Sequence, residues 1–308
     1  MPSFAIPPAL LRRAALGPAW VAWLEALPRT LADVVGEWGL TQDGPPTHGQ
    51  CSVVVPVRTR DGRLAALKVA FPDDESEHEH LALQHWHGNG AVLLLRADPR
   101  RRTMLLERLH AEDLGRLEDV EACEVVAGLY GRLHVPALPQ LRPLTSYVER
   151  WTAGLEALPR DAPVPRRLVE QAVSLARDFL VDPASTGSTI HADLHYENVL
   201  AGDREPWLAI DPTPVSGDPH YEVAPLLWNR WEELLSSGEI RDRLRRRFHA
   251  VVDTAGLEEE RSRDWVVVRA LHNVAWSVEE AHTQGRGHCE ADRDWTTRMV
   301  TVAKAVQD

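Results

Sequence analysis

His191-Ala-Asp193-Leu-His-Tyr-Glu-Asn198-Val-Leu, with Ala-Ile-Asp211-Pro shortly after it, is the stretch on which the reading of this chain turns. It follows a short apolar end, Ser188-Thr-Ile190. Val199 and Leu200 begin a strand, Ala201-Gly-Asp-Arg204 reads as a turn, and Trp207-Leu-Ala-Ile210 as the returning strand. Such a hairpin carries Asp211 back beside Asn198, and Pro212 ends the strand. An amide oxygen and a carboxylate are the ligands a hard divalent cation takes. The plainer alternative is a polar loop between buried strands, with Asp193 and Asn198 capping turns.

The chemistry that needs this spacing is phosphoryl transfer, which asks the protein for positioning and charge neutralisation around a crowded anion. In that reading Asp193 accepts the proton of an incoming hydroxyl, while Asn198 and Asp211 hold magnesium on ATP. Elements upstream fit. Ser52-Val-Val-Val-Pro-Val57 and Leu64-Ala-Ala-Leu-Lys-Val-Ala70 are apolar runs joined by Arg60-Asp61-Gly62, a hairpin signal. Lys68, the lone charge in the second run, is either an edge residue or a cation for phosphates. A helix then follows Asp73-Asp-Glu-Ser-Glu-His-Glu79, with Leu81, Leu83 and Trp86 at helical spacing. A carboxylate on it is expected to pair with Lys68. Glu79 is the first choice because Leu83 and Trp86 continue its inward face, and Glu75, one turn earlier, is the second. Thr47-His-Gly49-Gln-Cys-Ser52 fits a loop covering the phosphates, on the signal of a single glycine. Thr103-Met-Leu-Leu-Glu-Arg-Leu109 reads as a strand whose exit, from Glu107 to Leu109, offers backbone groups to adenine or is an ordinary strand end.

In this order, Lys68, the acidic helix, 104–109, His191-x-Asp193-x4-Asn198, Ile210-Asp211-Pro and Gly217-Asp218-Pro, the chain resembles the aminoglycoside phosphotransferases. His195-Tyr-Glu-Asn-Val-Leu200 and Arg204-Glu-Pro-Trp-Leu-Ala-Ile-Asp-Pro212 are similar to the streptomycin 6-phosphotransferase and hydroxyurea-kinase branch. The likeness runs from about residue 38 to 278 and is most specific over 190–220. It implies an α+β, bilobal, protein-kinase-like fold, with a strand-rich N-lobe at 1–109 and a mainly helical C-lobe at 110–308. It implies Mg2+ and ATP as cofactors, a small-molecule hydroxyl as acceptor, Asp193 as catalytic base, and Asn198 and Asp211 as metal ligands. Lys68, Glu79, Ser52, Glu107 and Leu109 then serve the nucleotide. One departure is Glu222 in Gly-Asp-Pro-His-Tyr-Glu222, where many relatives carry Asp, and it bears on the substrate rather than the chemistry.

Composition agrees with this picture. A chain of 308 residues is long for one core, and 44% hydrophobic content can fill two. Helical patterns are read over 120–134, 166–180, 224–235 and 265–281, with loops at 136–143 and from Asp161 to Pro165. The first 35 residues, with Trp20, Trp23 and Leu24 at helical spacing, form an extra helix on the N-lobe. A net charge of −12 argues against nucleic acid and favours a cationic small molecule. Asp218, Glu222, Glu232, Glu233, Glu279 and Glu280 are the acidic candidates for holding it; solvated helix faces, or for Asp218 a helix cap, are the competing readings. The five arginines within 241–247 lack interleaved aromatics and read as a charged helix. His191, Asp193 and His195 have spacing for zinc, but no further ligand set stands out. Three scattered cysteines make no disulfide framework. No leader and no apolar run near 18 residues is read, so a cytoplasmic protein without membrane contact is expected. Oligomeric state is left open. The competing functions are a kinase for hydroxyurea or another small alcohol, and a catalytically silent kinase-like binding module. A protein kinase is disfavoured because Asp-Phe-Gly and Ala-Pro-Glu are absent.

Overall fold

The computed structural model describes residues 4–159, 162–283, 285 and 289–307; Asp161, at the start of one expected loop, lies outside them. The chain divides into two compact units, Met1–Ala111 with Ala201–Thr213, and Glu112–Leu200 with Pro214–Asp308.

The first unit opens with helices α1 (Pro8–Leu11) and α2 (Pro18–Trp38). The strands follow as β1 (Thr41–Gln42), β2 (Thr47–His48), β3 (Ser52–Arg58) and β4 (Leu64–Ala70), then helix α3 (Glu79–Trp86), β5 (Leu94–Asp98) and β6 (Thr103–Glu107). They form an antiparallel sheet in the order β1-β3-β4-β6-β5, with β2 also against β3. The period of two along each strand sorts its side chains. Val53, Val55 and Val57 pair with Val69, Leu67 and Ala65 and are all at most 1% exposed. That face takes α2, which buries Trp20, Leu24, Leu27, Leu31, Val34, Val35 and Trp38 at spacings of three and four. Trp20 stacks on Phe71 at 4.0 Å between centroids, fastening the start of α2 to the end of β4. The expected N-terminal helix is therefore a layer of this unit's core. Lys68 belongs to the other set, in register with Val54 and Met104. The returning segment after residue 201 joins this unit through Ala209, whose N–H donates to Gly90 O at 3.0 Å and whose carbonyl accepts from Val92 at 2.9 Å.

The second unit is mainly helical: α4 (Asp119–Leu133), α5 (Leu144–Glu156), α6 (Arg166–Val181), α7 (Ala224–Trp228), α8 (Trp231–Ser237), α9 (Ile240–Ala255), α10 (Glu259–Thr283) and α11 (Glu290–Ala305). Strand β7 (Ser188–Ile190) leads into the Asp193 loop. The expected hairpin is present as β8 (Val199–Ala201) and β9 (Trp207–Ala209), a two-stranded sheet. Strand β10 (Val215–Gly217) pairs with β7, Val215 opposite Ile190 and Gly217 opposite Ser188. A Cβ on Gly217 would lie 2.4 Å from Cδ1 of the buried Ile190, so glycine leaves the room that this side chain fills.

Two expected helices differ. The run 224–235 is broken into α7 and α8, because Arg230 turns left-handed (φ 53). Arg230 donates to Leu117 O at 2.8 Å, and Arg247 captures Asn229 O at 2.8 Å, so main-chain capture overrides the apolar period. The helix expected over 265–281 starts earlier, because the Glu258 carboxylate accepts the N–H groups of Glu260 (3.0 Å) and Arg261 (2.5 Å). The arginine-rich 241–247 stretch lies in α9, where Arg243 and Arg247 clasp Asp119.

Leu31 is fully buried between α2 and the sheet. Leu31→Ala is expected to cost about 2–5 kcal/mol, read as a lower urea midpoint with an unchanged slope. A loss under about 1 kcal/mol, outside that range, would mean that α2 is not a core layer.

Candidate functional site

The first unit places a charge where the strand pattern asks for an apolar residue. Lys68 is 5% exposed, and its Nζ lies 2.5 Å from Glu79 Oε1 and also donates to Asp211 Oδ1. Glu79 is the first residue of α3, where the helix dipole favours a carboxylate, and is 2% exposed. Of the two acids weighed as partner, Glu79 is the one at the ammonium. Burial lifts the Glu79 carboxyl to about 7 against the pull of Lys68, with the Asp211 charge pushing the same way. For Lys68 burial opposes the charge, yet Asp211 and Glu79 outweigh it and hold the proton more tightly than usual.

Asp211 follows β9 in the left-handed region (φ 57), and its side chain is 46% exposed. A residue with a Cβ occupies that region at a cost of about 1–2 kcal/mol, so contacts must hold it there, and Lys68 is one. The 47–52 segment turns beside it. Gly49 N–H donates to Ser52 O at 3.0 Å, and a Cβ on Gly49 would lie 3.0 Å from Ser52 Oγ and 3.7 Å from Asp211 Oδ2. Ser52 is buried on the same sheet face as Lys68. Glu107 is occupied differently from the expectation. Its carboxylate accepts from Leu93 N–H at 2.8 Å and Arg204 Nη2 at 2.7 Å, and its own N–H goes to Leu93 O. Its N–H and its carboxylate are therefore both spent within this unit. Leu109 follows, and His110 N–H donates to Ala201 O at 2.9 Å.

In the second unit, His191 is fully buried and Ala192 is left-handed (φ 66). Asp193 comes next, its side chain 46% exposed. Asn198 Nδ2 donates to Asp193 O at 2.8 Å, which closes the loop and leaves the amide oxygen on the opposite side of the group. Tyr196 forms the floor: it is buried, and its hydroxyl donates to Leu226 O at 3.2 Å.

Two residues outside the motif hold this loop. Glu222 is fully buried; its Oε1 accepts the Ala192 N–H at 2.6 Å and its Oε2 lies 2.6 Å from His134 Nε2. Arg269 donates to Ala192 O and, at 2.9 Å, to Tyr221 O. Burial alone would raise the Glu222 carboxyl, but the His134 hydrogen bond, the charges of His134 and His191 and the Ala192 N–H together bring it below the usual range. Asp218 is 1% exposed and shared among His220 Nδ1, Arg261 Nε and Trp265 Nε1, each at 2.6 Å. An acceptor-binding role for Asp218 and Glu222 does not fit this burial; both are internal supports. Glu279 lies exposed on α10 with Arg150 Nη2 at 3.2 Å, and half-buried Glu280 is its neighbour. Sequence reasoning passed over Arg269 and His134. The signal for Arg269 was a lone charge inside Trp265-Val-Val-Val-Arg269-Ala-Leu, a buried helix stretch.

Because Glu222 titrates lower folded than unfolded, its contribution is complete above the unfolded value near ~4.3 and is lost as pH falls through the folded one. Stability measured from pH 7 to 3 should fall less steeply on the acid side in Glu222→Gln than in the parent. Equal acid slopes would remove Glu222 from the acid response.

With this geometry in place, likeness to known proteins can be weighed. The model of the aminoglycoside/hydroxyurea antibiotic resistance kinases matches residues 37–281. Streptomycin 6-kinase of Streptomyces glaucescens is 39% identical over 274 residues, 86% of this chain and 88% of that protein. Hydroxyurea phosphotransferase of Kitasatospora aureofaciens is 40% identical over 271 residues, 86% and 77% of the two chains. The crystal structure of choline kinase LicA from Streptococcus pneumoniae superposes with a TM-score of 0.60 at 13% identity, covering 91% of this chain and 99% of that one, which shows the shared kinase-like fold. The strand-rich and helical halves, the motif order and the sequence relationships thus converge: the chain belongs to the aminoglycoside/hydroxyurea antibiotic resistance kinase family.

Proposed function

We propose that this chain moves the γ-phosphoryl group of ATP to a hydroxyl of a small cationic molecule, an aminoglycoside of the streptomycin type, with hydroxyurea as the second acceptor. The observation that carries the reading is Lys68 buried against Glu79 and Asp211, a cation fixed by two acids of which one is half open to solvent. The acceptor comes from the relatives: a streptomycin 6-kinase and a hydroxyurea phosphotransferase are similarly close in identity.

The residues present suit magnesium and a nucleoside triphosphate. Magnesium keeps several waters and takes one or two protein oxygens beside the phosphates, so Asn198 and Asp211 suffice without a dedicated cage. Bound there, the ion neutralises charge that builds on the phosphate oxygens. Lys68 holds the α/β-phosphates, Glu79 fixes Lys68, and the turn closed by Gly49 N–H on Ser52 O covers them. Asp193 accepts the proton of the acceptor hydroxyl and aims it in line. The lobe division near residue 110 is part of the proposal, as is the role of Leu109 beside the base. Glu279 and Glu280 are the surface acids retained for the cationic acceptor; no helix among the described residues is long and apolar enough to cross a membrane.

Mass spectrometry after incubation with Mg-ATP and either streptomycin, other aminoglycosides or hydroxyurea is the direct test. A phosphate-sized gain on streptomycin is expected; a gain on hydroxyurea alone would move the acceptor assignment, and no gain anywhere would overturn it. Asp193→Ala is expected to lower turnover about 10²–10⁴-fold with nucleotide affinity nearly kept. Asp211→Ala should instead weaken magnesium-dependent ATP binding in titration calorimetry, and an unchanged isotherm would remove Asp211 from the metal.

A further inference from the structure

We propose that Arg269 is a positioning residue for phosphoryl transfer, acting through the left-handed Ala192 peptide to aim Asp193. The proposal rests on the reading of Asp193 as catalytic base.

Ala192 is in a region that residues with a Cβ avoid, so the loop has no intrinsic reason to stay there. Its two flanking peptide groups are both held. The N–H is given to Glu222 Oε1 at 2.6 Å, and the carbonyl accepts from Arg269 Nη2. Fixing both peptides fixes φ and ψ at Ala192, and with them the direction in which Asp193 leaves the chain. The clamp is closed on itself. Arg269 Nη1 donates to Tyr221 O at 2.9 Å, and Tyr221 is bonded in sequence to Glu222, so the two jaws share one short segment, Pro219–Val223.

The guanidinium is built in. Arg269 is 7% exposed, with Cζ 4.1 Å from the Tyr221 ring centroid and 5.4 Å from that of Trp228. Its planar fork is therefore stacked in one orientation, with Nη1 and Nη2 spent on two carbonyls, and an ammonium has no such plane to stack. Arg269 lies 77 residues from Ala192 in sequence, on a long helix otherwise occupied with packing in this stretch. A shift of about 1 Å at a reacting group can cost on the order of 10²-fold in rate, and this clamp removes the freedom that would permit it.

The prediction is a split between chemistry and binding. Arg269→Met should lower kcat about 10–100-fold with KM for ATP changed less than about 3-fold, and Arg269→Lys should fall between it and the parent. Ala192→Gly in the Arg269→Met background should restore part of kcat, because glycine adopts the left-handed conformation unaided. A role confined to packing gives no such rescue. Turnover is read on streptomycin or hydroxyurea, whichever accepts phosphate. Hydrogen exchange on the protein alone supplies a substrate-free readout: exchange should quicken over 191–198 in Arg269→Met and stay unchanged over Glu290–Ala305. If Arg269→Met fails to fold, the same comparison is made with Arg269→Lys. Unchanged exchange over 191–198, or no rescue by Ala192→Gly, overturns the proposal. Asp193→Ala run in parallel separates the two claims: inactive Asp193→Ala beside normal Arg269→Met sinks the clamp alone, whereas active Asp193→Ala sinks the base assignment and the clamp with it.

Discussion

Lys68 keeps a full charge at 5% exposure, and taking an ammonium out of water costs several kcal/mol unless opposite charges are already in place. Glu79 and Asp211 supply them from elements 11 and 143 residues away in sequence. The arrangement depends on strand register. Lys68 shares its face with Val54 and Met104, while its neighbours Leu67 and Val69 belong to the face covered by α2. Sliding β4 by one residue would drive the ammonium into that apolar layer. Valines at every second position of β3 and the helix above them therefore do more than fill a core: they hold the cation on the face where Glu79 and Asp211 wait for it.

The two aspartates proposed for the chemistry obey a common rule inside their separate units. Asp211 is itself left-handed, and Asp193 is preceded by the left-handed Ala192. Neither backbone state is favoured locally. In the first unit a buried lysine restrains the carboxylate, and in the second a buried glutamate and arginine restrain the peptide. The strain sits at the proposed site, and the restraint is carried by residues that contact it from a distance in sequence.

That division also marks what sequence could disclose. Period-two runs around Lys68, the turn residues between β8 and β9, and the Asp-x4-Asn spacing are local signals, and the strands and loop they foretell are present. Position 79 was legible because one helical face identifies it. Asp218 caps the turn that follows it, as its Gly-Asp-Pro setting allows, but nothing in Gly-Asp-Pro-His-Tyr-Glu tells that His134, Arg261, Trp265 and the Ala192 N–H converge on it and on Glu222, so both stood among the acids expected to hold the acceptor. The break between α7 and α8 was hidden for the same reason, since Leu117 and Arg247 create it from outside the run. Long-range capture of polar groups is invisible to periodicity, and here it decides both the loop and the helix interruption.

Helix α2 carries a further meaning. The match to the family model begins at residue 37, at the last turn of this helix, yet Leu27, Leu31 and Val34 ahead of it are at most 1% exposed. The stretch that the family model matches and the stretch that physics requires for a closed core are thus different intervals. Helix α2 closes one face of the sheet, so an exchange of parts cut at residue 37 would join sequences at a seam that runs through the middle of a packed interior.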